Sequence, residues 1–419
     1  MKKIIISVLG IIFLFPITLL AGDIKVLKNG INYTEISRPY TNTVAVNILT
    51  EGGLNSESEE NSGLGSLTAI VWIKSNKILE TSEFYGATVG AKLTPYAFEI
   101  SFSSPTDVSE KLLKDFKTFL LNPKFSEEIF EREKALYIQE LIASKDNPNH
   151  VASENYKKLS YKGTPYAKSL YGEVESIKKI TLNDIKEYYK SNMQGLRMFV
   201  SVAGNYSDTF KNKLIEIVSE IPKGTSFKAD CKNTEINEDR RKEDTDNKIK
   251  QSKLFIAYNA PEVSSKDYPA VKVLNELLGG RMSSRYFSEI RKKSGYAYSV
   301  YSAYPSRKCK SRFIVNIGLD YKNVNEAIKK IDNINLNLHK TITDDEIEKS
   351  KNSLLGSVLM ESQTNKSISW YRGFFMLMGL GPDYYEKYFE ILENINKEDL
   401  IRVSNMFKGN KVVYVLKPQ

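Results

Sequence analysis

Two short stretches recur late in the chain, and their spacing limits the fold more than any other feature. Phe125-Ser126-Glu127-Glu128-Ile129-Phe130-Glu131-Arg132 is matched by Ile342-Thr343-Asp344-Asp345-Glu346-Ile347-Glu348-Lys349, and Ile180-Thr181-Leu182-Asn183-Asp184-Ile185 by Ile395-Asn396-Lys397-Glu398-Asp399-Leu400, about 215 positions on. Solenoid repeats are far shorter, so this offset predicts two related domains within 419 residues. Between them, residues 223–251 are rich in Lys, Asp, Glu, Asn and Thr and lack apolar periodicity. They read as a solvated, charged linker between an N-terminal domain (22–222) and a C-terminal domain (252–419).

Within the first half, segments 24–27, 31–36 and 44–49 read as strands, with Lys28-Asn29-Gly30 as a hairpin turn. The apolar positions of 63–77 suit a buried helix, and 97–102 alternates as a strand does. Segments 107–121, 126–145 and 181–192 read as amphipathic helices, and 198–203 as a closing strand. Each half therefore reads as an α+β domain, a mainly antiparallel sheet packed with helices.

The second half carries the long run Gly279-Gly280-Arg281-Met282-Ser283-Ser284-Arg285-Tyr286-Phe287-Ser288-Glu289-Ile290-Arg291-Lys292-Lys293-Ser294-Gly295-Tyr296-Ala297-Tyr298. The paired glycine ends one helix, and Ser283 or Ser284 is expected to cap the next. Phe287 and Ile290 would face inward, and Gly295 would stop the helix before a strand over 296–304. Arg291 and Tyr298 then share one corner, a donor fork and a phenol within reach of a peptide carbonyl.

This block resembles the C-terminal half of the pitrilysin/insulinase family of zinc peptidases, whose members carry a GG-x-MSSRLFxEIREKxGLAYSV-like segment. The resemblance extends over almost the whole chain beyond its first residues. It implies subunits of two homologous domains, each pairing with a second subunit as a clamp around a peptide chamber. It also implies that Arg291 and Tyr298 help bind substrate.

Catalytic members carry His-x-x-Glu-His on a helix of the first half, in a G-L-x-H-x-x-E-H context. Two imidazoles one turn apart grip zinc, and the Glu activates the metal-bound water. The matching run here is Gly63-Leu64-Gly65-Ser66-Leu67-Thr68-Ala69-Ile70. Ser66 and Ile70 stand where the histidines belong, and Ala69 where the base belongs. Glu133 and Glu140 match the downstream acidic pair, Glu140 at the place of the third ligand. One carboxylate cannot complete a three-ligand site, so Glu140 reads as an exposed helix acid or an ion-pair partner. The family's substrate-facing edge strand, GG-x-x-N-A-x-T, has also changed: Gly90 replaces the Asn and Leu93 the Thr. No metal is expected on this chain; the resemblance places zinc on a partner subunit.

Other chemistries find little support. Only two histidines are present, His150 in a Pro-Asn stretch and His339 near a helix end, and neither sits beside a candidate nucleophile. Gly279-Gly280 lacks the Gly-Lys-Ser/Thr of a phosphate loop. The stretch Trp370-Tyr371-Arg372-Gly373-Phe374-Phe375, with Met376 and Met378, reads as a core face at helical spacing. The formal net charge is +9, but the basic residues are scattered, without the stripe that nucleic acid requires.

Lys2 and Lys3 precede an apolar run that ends before Gly22-Asp23, the pattern of a secretory signal over residues 1–21 cleaved after Ala21. Retention of that run as a membrane anchor is the alternative. Export, to a periplasm above all, would allow Cys231 and Cys309 to pair, although the pattern does not require it. The expected protein is thus a catalytically silent subunit that binds extended peptides and completes a zinc-bearing partner in a heterodimer. The alternative is a non-enzymatic peptide-binding or scaffold protein, as a homodimer.

Overall fold

The computed structural model describes residues 24–419; the expected signal segment, 1–21, lies outside them. The first half runs β1 (Lys25–Val26), β2 (Asn32–Ser37), β3 (Thr43–Glu51), α1 (Leu64–Lys74), α2 (Ile78–Phe84), β4 (Thr88–Leu93) and β5 (Ala97–Pro105). It continues through α3 (Thr106–Leu121), α4 (Glu127–Ser144), α5 (Pro148–Ser160), α6 (Val174–Lys179), α7 (Leu182–Asn192), β6 (Met198–Gly204) and α8 (Asp208–Ser219). The second half runs β7 (Arg240–Asp246), β8 (Ser252–Ala260), α9 (Tyr268–Asn275), β9 (Ala297–Ala303), β10 (Ser311–Leu319), α10 (Val324–Leu336) and α11 (Leu338–Thr341). Then come α12 (Asp344–Glu361), α13 (Asn365–Leu377), α14 (Tyr384–Glu393), α15 (Lys397–Ser404) and β11 (Lys411–Pro418).

The strand orders are β1-β2-β6-β3-β5-β4 and β7-β11-β8-β10-β9. Without the two-residue β1, the second order repeats the first strand for strand. Even the single parallel pairing recurs, β2 with β6 and β7 with β11; all other pairings are antiparallel. The fold is α+β.

The repeated sequence stretches are helix starts. Ser126 and Thr343 cap α4 and α12 through their hydroxyls, and Thr181 and Asn396 form capping boxes with Asp184 and Asp399 at α7 and α15. Each cap supplies acceptors for N–H groups that a helix leaves unpaired at its first turn. The recurring pattern is therefore local chemistry as well as ancestry.

In the first sheet, Phe98, Ile100 and Phe102 of β5 face a core shared with α1 and α3. There Trp72 stacks on Phe119 at 4.8 Å and donates its indole N–H to the Phe119 carbonyl at 2.9 Å. The halves also exchange helices. From the first half, α5 packs on the second sheet: Tyr156 stacks on Phe255 at 4.8 Å, and Ala152 meets Val412 and Tyr414. From the second half, α13 crosses the first sheet: Asn47 donates to Ser369 Oγ at 3.0 Å, and Ser369 to the Ser201 carbonyl at 2.7 Å. Gly373 permits the approach, since a Cβ there would lie 2.8 Å from Leu49 Cδ1. Lone periodicity assigns α13 a buried face without saying whose core it joins.

Several expectations need correction, and the cysteine pairing that the sequence left open is resolved. Residues 223–251 are not all linker, because Arg240–Asp246 forms the edge strand β7, paired along its length with β11. Its residues, three basic ones followed by Glu243, Asp244, Thr245 and Asp246, are exposed or half-buried on an edge, where periodicity carries no apolar signal. Cys231 and Cys309 are bonded, Cα to Cα 5.2 Å, tying the linker to the loop before β10. In the Gly279–Tyr298 region, Ser284 is buried and its hydroxyl caps nothing. Wide π-type turns over Phe287–Lys293 shift the inward face, so Tyr286 and Ile290 are buried while Phe287 is only half-buried. Finally, His150 lies in the first turn of α5, where Asn147 caps and Pro148 starts the helix, and not in a loop.

Candidate functional site

The helix that would carry zinc is α1. It begins after Gly63, whose φ of 91° and position against the Tyr171 carbonyl exclude a side chain. Glu57 caps it from outside the helix, accepting the N–H of Gly65 at 2.7 Å and of Gly63 at 3.1 Å. Burial pushes the Glu57 carboxyl up to about 7, against those two bonds and the Lys168 ammonium nearby.

A raised carboxyl holds its proton more tightly in the folded chain, so its stabilising effect is complete below 4.5 and fades as pH climbs towards 7. Glu57→Gln, neutral throughout, is expected to give a flatter stability–pH curve across that window, measured by urea unfolding. An unchanged slope would contradict this assignment.

One turn into α1, Ser66 donates to the Leu170 carbonyl at 2.7 Å. Ala69 is buried, and Ile70 packs partly buried against the first core. On the facing helix α4, Glu133 is buried and pairs with Lys74 at 2.6 Å and Arg132 at 2.9 Å. Burial alone would raise its carboxyl, but the hydrogen bonds from Lys74 and Arg132 win and hold it below the ordinary value. Glu140 is exposed. Tyr137, between the two acids on α4, is buried with its hydroxyl beside Ser66. The position therefore holds a hydroxyl, a methyl, a sec-butyl chain and a phenol, with one carboxylate committed to ion pairs. That donor set does not fit zinc. Among the described residues, no three or more His, Cys, Asp or Glu side chains are placed to share a metal.

The second-half corner is formed by the end of the π-type helix and the start of β9. Gly295 turns the chain at a φ of 65°, and the Tyr296 N–H donates to the Ile290 carbonyl at 3.1 Å. Arg291 is exposed, makes no ion pair among the described residues, and holds its guanidinium over the Phe287 ring, 4.9 Å from the centroid. Lys292 covers the same ring at 5.5 Å. Tyr298 is 54 % exposed, and its hydroxyl reaches Asp320 Oδ1 only at 3.4 Å. Arg291 thus keeps its guanidinium donors free for a ligand, and Tyr298 holds its one O–H on a long bond that a ligand could replace, beside β9, an outer strand of its sheet.

The corresponding outer strand of the first sheet is β4, with Gly90 opposite Ser101 and Lys92 opposite Glu99. Between β4 and α13 lies a cleft of about 520 Å³. Phe374, Phe375 and Met376 are core residues, whereas Trp370 and Tyr371 are half-buried and line this cleft. Glu99, also in its wall, is buried; burial raises its carboxyl, opposed by Lys92 and by the Trp370 indole N–H. Sequence reasoning missed Glu99. On the alternating strand it belongs to the face that should meet solvent, and only the helix lent by the other half covers it.

Comparison with known proteins bears on these sites. Residues 34–174 match the family model described as insulinase (peptidase family M16), and residues 179–354 match the one described as peptidase M16 inactive domain. An uncharacterized zinc protease of Rickettsia felis is 24 % identical over 402 residues, covering 91 % of this chain and 94 % of that one. A probable inactive metalloprotease of Bacillus subtilis, YmfF, is 23 % identical over 339 residues, covering 76 % and 79 %. The crystal structure of a peptidase M16 inactive domain from Pseudomonas fluorescens superposes with a TM-score of 0.85 at 21 % identity, over 96 % of this chain and 98 % of that one.

Proposed function

The chain belongs to the insulinase family, peptidase family M16, and from that premise we propose that it is a catalytically silent member that holds extended peptides and completes a zinc-bearing partner subunit. The observation that carries this reading is an asymmetry between its halves. At the first, Ser66, Ala69 and Ile70 replace the metal pair and its base, and Glu133 is locked into ion pairs with Lys74 and Arg132. At the second, Arg291 and Tyr298 remain exposed, the guanidinium with donors to spare and the phenol on one long bond to Asp320. A chain that had lost all contact with substrate would have no physical need for that fork and phenol at the end of an open sheet edge. The free edges of β4 and β9 offer main-chain partners to an extended segment. The relative named as an inactive metalloprotease supports the silent assignment.

Export is part of the proposal. The charged and apolar start of the sequence supports a signal cleaved after Ala21, and the Cys231–Cys309 bond suits an oxidising compartment such as a periplasm.

Affinity purification of the tagged full-length chain from its native cells, followed by native mass spectrometry, tests the partnership. The expected species is a heterodimer with an insulinase-family chain that carries His-x-x-Glu-His. A stable homodimer without such a partner would replace this reading with that of a non-enzymatic peptide-binding scaffold.

A further inference from the structure

The cleft between β4 and α13 has a floor that its own residues leave unfinished. Glu99 is 3 % exposed, yet only Oε2 is engaged, accepting from Trp370 Nε1 at 3.1 Å and pairing with Lys92 Nζ at 3.1 Å. Its second oxygen, Oε1, has no hydrogen-bond partner among the described residues. A buried charged acceptor left unpaired is costly, and native structures rarely keep one without a reason. Lys92 is no permanent plug, because its side chain is 65 % exposed at the cleft mouth. Gly90, next on the same face of β4, leaves space: a Cβ there would touch Ser101 Oγ at 3.0 Å and meet nothing else within 4 Å. Trp370 and Tyr371 wall the other side, edge to face at 5.1 Å.

Resting on the peptide-holding role above, we propose that this cleft is a side-chain subsite for a basic residue, arginine above lysine, of an extended peptide whose main chain pairs with β4. Alternate side chains of a strand added to β4 fall on the face that carries Gly90 and Lys92, so one of them is delivered over the cleft. A guanidinium fork donates to both carboxylate oxygens at once and supplies Oε1 with its missing partner. It displaces the Lys92 ammonium without leaving Glu99 uncompensated, and its flat face rests on the Trp370 indole. An apolar side chain leaves Oε1 orphaned, a neutral donor pairs with it only weakly, and an acidic one brings a second negative charge to a buried carboxylate.

The test uses two amidated nonapeptides of alternating Thr and Val carrying an N-terminal fluorescein, one with a central Arg and one with citrulline, which keeps the shape and removes the charge. Fluorescence polarisation with the purified full-length chain is expected to show the Arg peptide binding at least about tenfold tighter, in line with one charge-assisted bond. Glu99→Gln should bring the Arg peptide down to the citrulline value and leave the citrulline peptide unchanged. Gly90→Leu, which fills the space from the other wall, should do the same without touching the carboxylate. Equal binding of both peptides by the natural chain overturns the subsite and leaves the peptide-holding role standing. Binding of neither removes both.

Discussion

Arg312→Ala is expected to lower the unfolding free energy by about 3 kcal/mol, a large effect for a residue far from any candidate site. Arg312 lies on β10 of the second sheet and is only 1 % exposed. Its guanidinium donates to the Ser160 carbonyl at 2.9 Å and to Ser160 Oγ at 3.2 Å, closing the end of α5, the helix lent by the first half. It also donates to the Ser311 carbonyl at 2.9 Å and lies 4.4 Å from the Tyr161 ring centroid. Truncation orphans buried acceptors, at about 1–3 kcal/mol each, and opens a cavity; loss of the burial penalty on the charge offsets part of that. Arg312→Lys should recover little, since an ammonium cannot reproduce the fork.

The reciprocal anchor is Arg372 on α13, fully buried, paired with Glu386 and donating to Thr34 of β2 at 3.2 Å. Because each half holds a helix of the other, both tryptophans, Trp72 and Trp370, should report one shared urea transition that shifts as a whole. A loss below about 1 kcal/mol, or two separate transitions, would contradict the exchanged architecture.

If the chain completes a zinc-bearing partner as proposed, Arg291→Ala should cost that complex about ten- to a hundred-fold in kcat/KM while leaving assembly intact. A charge-assisted hydrogen bond contributes roughly 1.5–3 kcal/mol, and each 1.36 kcal/mol of transition-state stabilisation is tenfold in rate. The loss reaches kcat/KM if the bond to the peptide persists in the transition state. Tyr298→Phe removes one neutral donor and should cost less. Neither change should disturb the fold, because both side chains are exposed, Arg291 resting on Phe287 and Tyr298 making one long bond to Asp320. Size exclusion checks assembly, and hydrolysis of an unstructured peptide reads activity. Full activity in an assembled double variant would leave Arg291 and Tyr298 without a role in binding.

Much of this architecture was legible from local chemistry. The paired N-cap motifs at Ser126 and Thr343, and at Thr181 and Asn396, announced a duplicated domain, and the alternation of Phe98, Ile100 and Phe102 announced a strand on a core. What stayed hidden depends on contacts between distant segments. Strand β7 has an edge strand's polar pattern, and only its pairing with β11 distinguishes it from linker. The exchange of α5 and α13 leaves no local trace, since an amphipathic face does not name its partner. Glu99 follows from that exchange: without α13 above it, the residue would be an ordinary solvent-facing acid. At the corner before β9, the widened helical turns moved Phe287 off the core by a shift that 3.6-residue periodicity cannot express.

The most direct measurement is peptide hydrolysis and zinc content for the purified chain alone and for the proposed complex with a zinc-bearing partner. The account predicts no stoichiometric zinc and no cleavage by the chain alone. It predicts one zinc per heterodimer, and cleavage by the complex that a chelator abolishes. About one tightly held zinc on the isolated chain, accompanied by cleavage, would contradict it.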